Sequence, residues 1–213
     1  MAKIANDVGN NYKTILESIY PNTDKKVEEI LTEKIAKIGE NMTFRRFDRL
    51  EVSTGVVSSY VHNSVDENLG KIGVLIAIES DGEKDTINQL GKQLAMHIAA
   101  TSPSSIAIEG LPPELVERER AVLIDQAVSA GKPEDIAKKM VEGRLRKFYS
   151  EVVFLEQIFV LDGETKVADA IAKVSKEIGK EIKIKDFVRY NLGEGIEKDE
   201  KSFADEVAHQ LKS

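Results

Sequence analysis

Hydrophobic spacing along this chain alternates between the helical and the extended period, and the changes fall at glycines, prolines or polar turns. A chain patterned in this way has to combine helices with antiparallel strands. Residues 4–19 read as weakly patterned helix, broken at Pro21-Asn22-Thr23-Asp24. Val27, Ile30, Leu31, Ile35 and Ile38 then recur every three or four positions on one helix face, and Gly39 stands where a left-handed cap would end it. Met42, Phe44 and Phe47, with polar residues between them, read as an extended segment. Gly55 to His62 and Lys71 to Ile78 read as strands, with polar Asn63 to Gly70 as a longish loop between antiparallel partners.

Beyond Asp81-Gly82, Ile87, Leu90, Leu94 and Ile98 mark a helix stopped by Pro103, and Ile106 and Ile108 a brief extended piece. Pro112-Pro113 opens a helix carrying Leu115, Val116, Leu123, Ile124 and Ala127. Gly131-Lys132-Pro133 turns the chain into a second helix lined by Ala137, Val141, Leu145 and Phe148. So short a link predicts an antiparallel helical hairpin, and the charge outside both apolar stripes predicts that it projects into solvent. Residues 152–160 read as strand and Val167, Ala168, Ile171 and Val174 as helix. Residues 182–190 read as a further strand, and Phe203, Val207 and Leu211 as a terminal amphipathic helix. The fold class is α+β: an antiparallel sheet, helices packed on it, and an inserted antiparallel helical hairpin.

Charge and composition narrow the chemistry. The 213 residues carry 30 Lys and Arg against 37 Asp and Glu, a net −7 that argues against direct nucleic-acid or anionic-membrane binding. Cysteine is absent, which excludes disulfides, thiolate nucleophiles and Cys-ligated zinc and fits a reducing cytoplasm. His62, His97 and His209 are the only histidines, with no metal-ligand spacing, so no metal is expected. The longest apolar run, Val74 to Ile78, is far short of the ~20 residues of a membrane helix. No signal-peptide core opens the chain, and a cytoplasmic location is expected. Gly193-Glu194-Gly195 is followed by Lys198 where a dinucleotide fingerprint needs a third glycine. With no Walker run and no serine-hydrolase elbow, neither a cofactor, a nucleotide bound by this chain, nor an enzyme is expected.

The positive signal is a set of short runs in a fixed order. Lys37-Ile38-Gly39-Glu40-Asn41 precedes Phe44-Arg45-Arg46; Tyr60-Val61-His62 precedes Ile72-Gly73-Val74-Leu75. Met96-His97-Ile98-Ala99-Ala100 leads to Pro103, and Gly131-Lys132-Pro133 to Lys139-Met140-Val141-Glu142-Gly143-Arg144. Phe159-Val160, Gly193 to Lys198, Phe203-Ala204 and Glu206-Val207-Ala208 complete the series. In that order the sequence resembles the bacterial elongation factor Ts family, the guanine nucleotide exchange factors for elongation factor Tu. The resemblance implies a two-part α/β core with its first half incomplete here. Residues 1–50 would be a remnant of the N-terminal core subdomain, and 51–112 with 149–198 the C-terminal one. Residues 113–148 would be the dimerising helical hairpin and 199–213 a C-terminal helical module. Neither a small N-terminal helical domain nor the run Thr-Asp-Phe-Val occurs in these 213 residues. In the family, the Asp-Phe of that run disturbs the partner's magnesium and phosphate site. A truncated core that keeps partner binding with weakened exchange is therefore expected. The alternative is an interaction and dimerisation module without exchange activity.

The same resemblance assigns partner contacts residue by residue. Ile38 and Gly39 would meet the nucleotide domain of elongation factor Tu, set against a plain role as buried anchor and helix cap. His62 would face the partner, whereas His97, among apolar neighbours, reads as a satisfied structural histidine. Val160 and Leu161, at the end of the 152–160 strand, would meet the partner's third domain, and Phe203 and Val207 would dock on its nucleotide domain. Arg45 and Arg46, adjacent on an extended segment, should point to opposite faces and share no surface. Segment 42–50, without its hairpin, would offer a strand edge open to self-association.

Overall fold

The computed structural model describes residues 1–9, 11–131 and 133–195. Phe203 and Val207 lie outside them. The described residues form seven α-helices and one three-stranded antiparallel sheet, an α+β fold as the sequence predicts. The sheet is built from β1 (Gly55–Asp66), β2 (Leu69–Glu79) and β3 (Lys183–Asn191) in the order β1-β2-β3. Val74, Ile76 and Ile78 project from the central strand to one face, where α4 (Lys84–Thr101) buries Ile87, Leu90, Leu94 and Ile98. Phe154, Phe159 and the residues Val167 and Ile171 of α7 (Val167–Ile178) complete this core. In β3, Ile184 and Phe187 both reach the core because a bulge at Ala77/Ile78 resets the alternation.

α4 lies close on the sheet because Gly91 has no side chain. A Cβ there would stand 2.1 Å from Ser58 Oγ and 2.7 Å from Ser58 Cβ, so only glycine fits without displacing helix or strand. Ser58 Oγ in turn donates to Asn88 Oδ1 at 2.8 Å, which satisfies a buried hydroxyl at this contact.

The N-terminal part is a small unit of α1 (Ala2–Val8), α2 (Tyr12–Glu17) and α3 (Val27–Ile38) around Ile4, Ala5, Ile15 and Val27. The expected strand over 42–50 does not form. Phe44 instead stacks on Tyr12 and Phe47, with centroids 5.5 and 6.0 Å apart, and both phenylalanines pack against the N-terminal cluster. This removes the strand edge on which self-association through 42–50 was expected. The segment is tied to β3 by a hydrogen bond from Tyr190 Oη to Asp48, and the Arg46 guanidinium lies 4.6 Å from the Tyr190 ring. Burial, then the bond to Asp48, pushes the Tyr190 phenol up to about 12, so it remains a donor at neutral pH.

The hairpin is confirmed as α5 (Pro113–Ser129) and α6 (Glu134–Val152), with its own cluster of Leu123, Val141 and Leu145. Two other expectations are corrected. Residues 63–70 are not a long loop: both strands run on to a tight turn at Glu67-Asn68, where Asn68 takes φ 58. Nor is 152–160 a strand. α6 extends to Val152, and the backbone then meets the 105–106 segment, Phe154 N–H donating to Ser105 O at 2.9 Å and Leu155 N–H to Ile106 O at 3.1 Å. Among the described residues no helix is long and apolar enough to cross a membrane.

Candidate functional site

Among the described residues, the turn from Ile158 to Lys166 presents apolar side chains on a hydrogen-bonded backbone. Its two ends form an antiparallel bridge, Phe159 N–H donates to Thr165 O at 2.8 Å, and Gly163 N–H donates to Phe159 O at 2.8 Å. Asp162 Oδ1 accepts from the N–H groups of Glu164 (3.0 Å) and Thr165 (2.9 Å), an Asx turn that closes the tip. A side-chain hydrogen bond from Thr165, then the backbone N–H groups of Glu164 and Thr165, hold the Asp162 carboxyl below the usual carboxylate range. Phe159 is buried, while Val160 and Leu161 are 42% and 46% exposed. Two large apolar side chains thus stand exposed on a turn whose backbone is already fixed by hydrogen bonds.

Beneath the turn lies His97, fully buried on α4 between Phe154 and Phe159, whose ring centroids are 5.7 and 5.8 Å away. Val160 N–H donates to His97 Nδ1 at 3.2 Å, so the neutral ring carries its proton on Nε2 and donates to Gln157 Oε1 at 2.9 Å. Gln157 Nε2 donates to Glu151 O at 2.8 Å, which fixes the orientation of that amide. The structural, satisfied histidine read from the sequence is thus present. Gln157 was missed, although an amide within the largely apolar stretch 152–161 signals a buried polar group needing partners.

Burial pushes the His97 imidazole below its ordinary value of 6.5, opposed in part by the Gln157 bond. Below about pH 6.5 the unfolded chain therefore binds more protons at this ring than the folded one. The stability from the neutral ring is present in full above that value and is lost as the pH falls through the lowered folded value. Urea unfolding between about pH 7.5 and 5 should show a steeper loss for the parent chain than for His97→Asn, which cannot titrate.

The other sequence-predicted residues fall on separate elements. Ile38 ends α3 and is 55% exposed, which corrects the buried-anchor reading. Gly39 follows with φ 78 and ψ 10, its N–H donating to Ile35 O at 2.8 Å, so the left-handed cap is as read. Nothing lies within 4 Å of a Cβ built at Gly39, so the backbone conformation alone asks for glycine there. His62 is exposed on β1, where its Nδ1 lies 3.0 Å from Tyr60 Oη. Among the described residues, no hydrogen bond, ion pair or ring contact joins Ile38-Gly39, His62 and Val160-Leu161 to one another.

Arg45 and Arg46 depart from expectation by converging on one turn. Arg45 Nη1 donates to Glu194 O at 2.8 Å, and Arg46 Nη2 pairs with Glu194 Oε2 at 3.3 Å. The strand geometry that would separate them is absent. Among the described residues no group of three or more His, Asp or Glu could hold a metal. An open depression of about 210 Å³ lined by Ser53, Thr54, Glu79, Ser80, Asp81, Lys180, Glu181 and Lys183 mixes both charges. Its Lys183 pairs internally with Glu181 at 3.2 Å.

Comparison with known proteins shows the family. The sequence model described as elongation factor TS matches residues 1–194. The elongation factor Ts of Rhodospirillum centenum is 50% identical over 208 residues, covering 98% of this chain and 68% of that protein. That of Bartonella tribocorum is 48% identical over 212 residues, covering 100% of this chain and 69% of its own length. The Paramagnetospirillum magneticum protein is 49% identical over 210 residues, 99% of this chain and 67% of its own. With a family match over residues 1–194 and about half of its residues identical to those of these relatives along nearly its whole length, this chain belongs to the elongation factor Ts family.

Proposed function

We propose that this chain binds elongation factor Tu and promotes exchange of GDP for GTP by stabilising the nucleotide-free partner. The carrying observation is the 158–166 turn, a pre-ordered loop that presents Val160 and Leu161 to solvent from a family-matched position. Ile38 and Gly39 at the end of α3, and His62 on β1, supply further contacts, with Phe203 and Val207 as a C-terminal docking face. No side chain need act as acid, base or nucleophile. If the chain prefers nucleotide-free partner to the GDP complex by some factor, linkage requires that it weaken GDP binding by that factor. Thr-Asp-Phe-Val does not occur in these 213 residues, so binding should be retained with acceleration reduced.

We assign the parts accordingly: 1–50 as a remnant of the N-terminal core subdomain, 51–112 with 149–198 as the C-terminal core subdomain, 113–148 as the hairpin and 199–213 as the C-terminal module. Titration calorimetry with nucleotide-free and GDP-loaded elongation factor Tu tests the binding. Tighter binding to the nucleotide-free form is expected, and equal affinity for both would overturn the proposal.

A second reading, a dimerising module without exchange activity, draws on the hairpin. Val122, Val128, Ile136 and Met140 are each 39–49% exposed there. Sedimentation equilibrium would favour this reading if a dimer dissociated on Val128→Glu while binding to elongation factor Tu remained undetectable.

A further inference from the structure

We propose that His97 is a positioning residue for the partner-binding turn, its Nδ1 holding the Val160 backbone N–H and so fixing how Val160 and Leu161 are presented. This role rests on the turn facing elongation factor Tu, as proposed above.

The site does not need a histidine for packing. An apolar side chain of similar volume would fill the space between Phe154 and Phe159, but it would strip the Val160 N–H and the Gln157 amide oxygen of their ring partner. What histidine adds is two nitrogens in fixed relation, and both are spent on one short segment. Nε2 engages the side chain of Gln157 at 2.9 Å, and Nδ1 the main chain of Val160 at 3.2 Å. Gln157 is held in turn by Glu151 O at 2.8 Å, and the Thr101 hydroxyl lies 3.0 Å from its Oε1. The remaining bonds of the turn, Phe159 to Thr165 and Gly163 to Phe159, tie the loop to itself. Among the described residues, Val160 N–H has His97 as its acceptor, and this bond ties the exposed tip to α4 in the core.

The charged groups on the elements packed around the ring are engaged elsewhere. Glu156 pairs with Lys166 at 2.7 Å, the Asp162 carboxylate accepts from its own turn, and the Glu151 side chain is exposed, 3.9 Å from Lys147. A second proton on Nδ1 would face the Val160 N–H donor-to-donor, and burial resists it, as the lowered pKa reflects.

The two ring nitrogens can be tested separately. The Oδ1 of asparagine falls near the position of Nδ1 and keeps an acceptor for Val160. The Nε2 of glutamine falls near that of the ring Nε2 and keeps the Gln157 bond while deleting that acceptor. Both variants lose the ring and should lose comparable stability. Calorimetry against nucleotide-free elongation factor Tu should give His97→Gln a Kd raised about tenfold and His97→Asn a Kd within about threefold of the parent. The Val160 amide should exchange slowly in the parent and in His97→Asn and rapidly in His97→Gln. Equal affinities for the two variants would overturn the proposal. So would a parent Val160 amide that exchanges as fast as that of Leu161, a measurement that needs no variant to fold. If Leu161→Asp leaves the affinity unchanged, the turn itself is not the partner surface and the role of His97 falls with it. If Leu161→Asp abolishes binding while the His97 variants are equal, only the positioning role falls.

Discussion

Leu161→Asp is expected to weaken binding to nucleotide-free elongation factor Tu at least a hundredfold while leaving the chain folded. The two halves of that expectation have separate grounds. Leu161 is 46% exposed at the tip of a turn whose order comes from main-chain bonds, from Asp162 and from His97, none of which use its side chain. Folding therefore loses little when its apolar surface goes, within about 0.5 kcal/mol for an ordinary surface site. In a protein interface the balance reverses. An apolar anchor at the centre of a contact typically contributes 2 kcal/mol or more, and burying an unpaired carboxylate in its place adds a desolvation cost. Val160→Asp should behave alike, since Val160 is 42% exposed beside it. Calorimetry reads the affinity, and circular dichroism with urea unfolding checks the fold. A Leu161→Asp chain that binds within about twofold of the parent would show that this turn is not an interface anchor.

Gly91→Ala is expected to destabilise the chain by roughly 3 kcal/mol, whereas Gly143→Ala should stabilise it by about 0.5–1 kcal/mol. Both glycines are in helices, on α4 and α6, so the gain in helix propensity is common to the two. Their surroundings differ. A Cβ at Gly143 meets nothing within 4 Å. At Gly91 it would meet Ser58 Cβ at 2.7 Å and Ile78 Cδ1 at 3.1 Å. Rotating the Ser58 hydroxyl relieves only the contact with Oγ, at the expense of its bond to Asn88, and the Cβ contact can be relieved only by moving helix or strand. Urea denaturation of the pair separates crowding from propensity. Equal shifts for the two variants would mean that α4 does not seat on β1 through this glycine.

How far the sequence could be read follows from where its apolar groups go. The helices α3 to α7 were legible because their faces repeat at helical spacing, and Gly39, Pro103, Pro113 and Gly131 mark ends of α3 to α6. β3 was legible too, although its Ile184–Phe187 spacing departs from strict alternation owing to the bulge. Besides Ile108, which opens a 3-10 helix (Ile108–Gly110) rather than ending an extended piece, three stretches were misread. Asn63 to Gly70 is polar because the hairpin arms are exposed there, and solvated strand ends carry loop-like composition. Residues 152–160 are rich in β-forming residues, yet their backbone pairs with Ser105 and Ile106 outside the sheet. Segment 42–50 carries aromatic residues that stack on Tyr12, a contact between distant residues that no local period encodes. For the candidate site, the exposed residues came from family resemblance, whereas the bonds that hold the turn did not. Val160 and His97 stand 63 positions apart, and no spacing rule connects them.

The exchange claim is tested most directly by stopped-flow release of fluorescent GDP from elongation factor Tu, with this chain titrated to saturation. GDP is expected to leave faster as the chain is added, at a saturating rate below that given by an elongation factor Ts that carries the Thr-Asp-Phe-Val run, and to return to the spontaneous rate with Leu161→Asp. Release at the spontaneous rate under saturating, calorimetrically verified binding would contradict an exchange function for this chain.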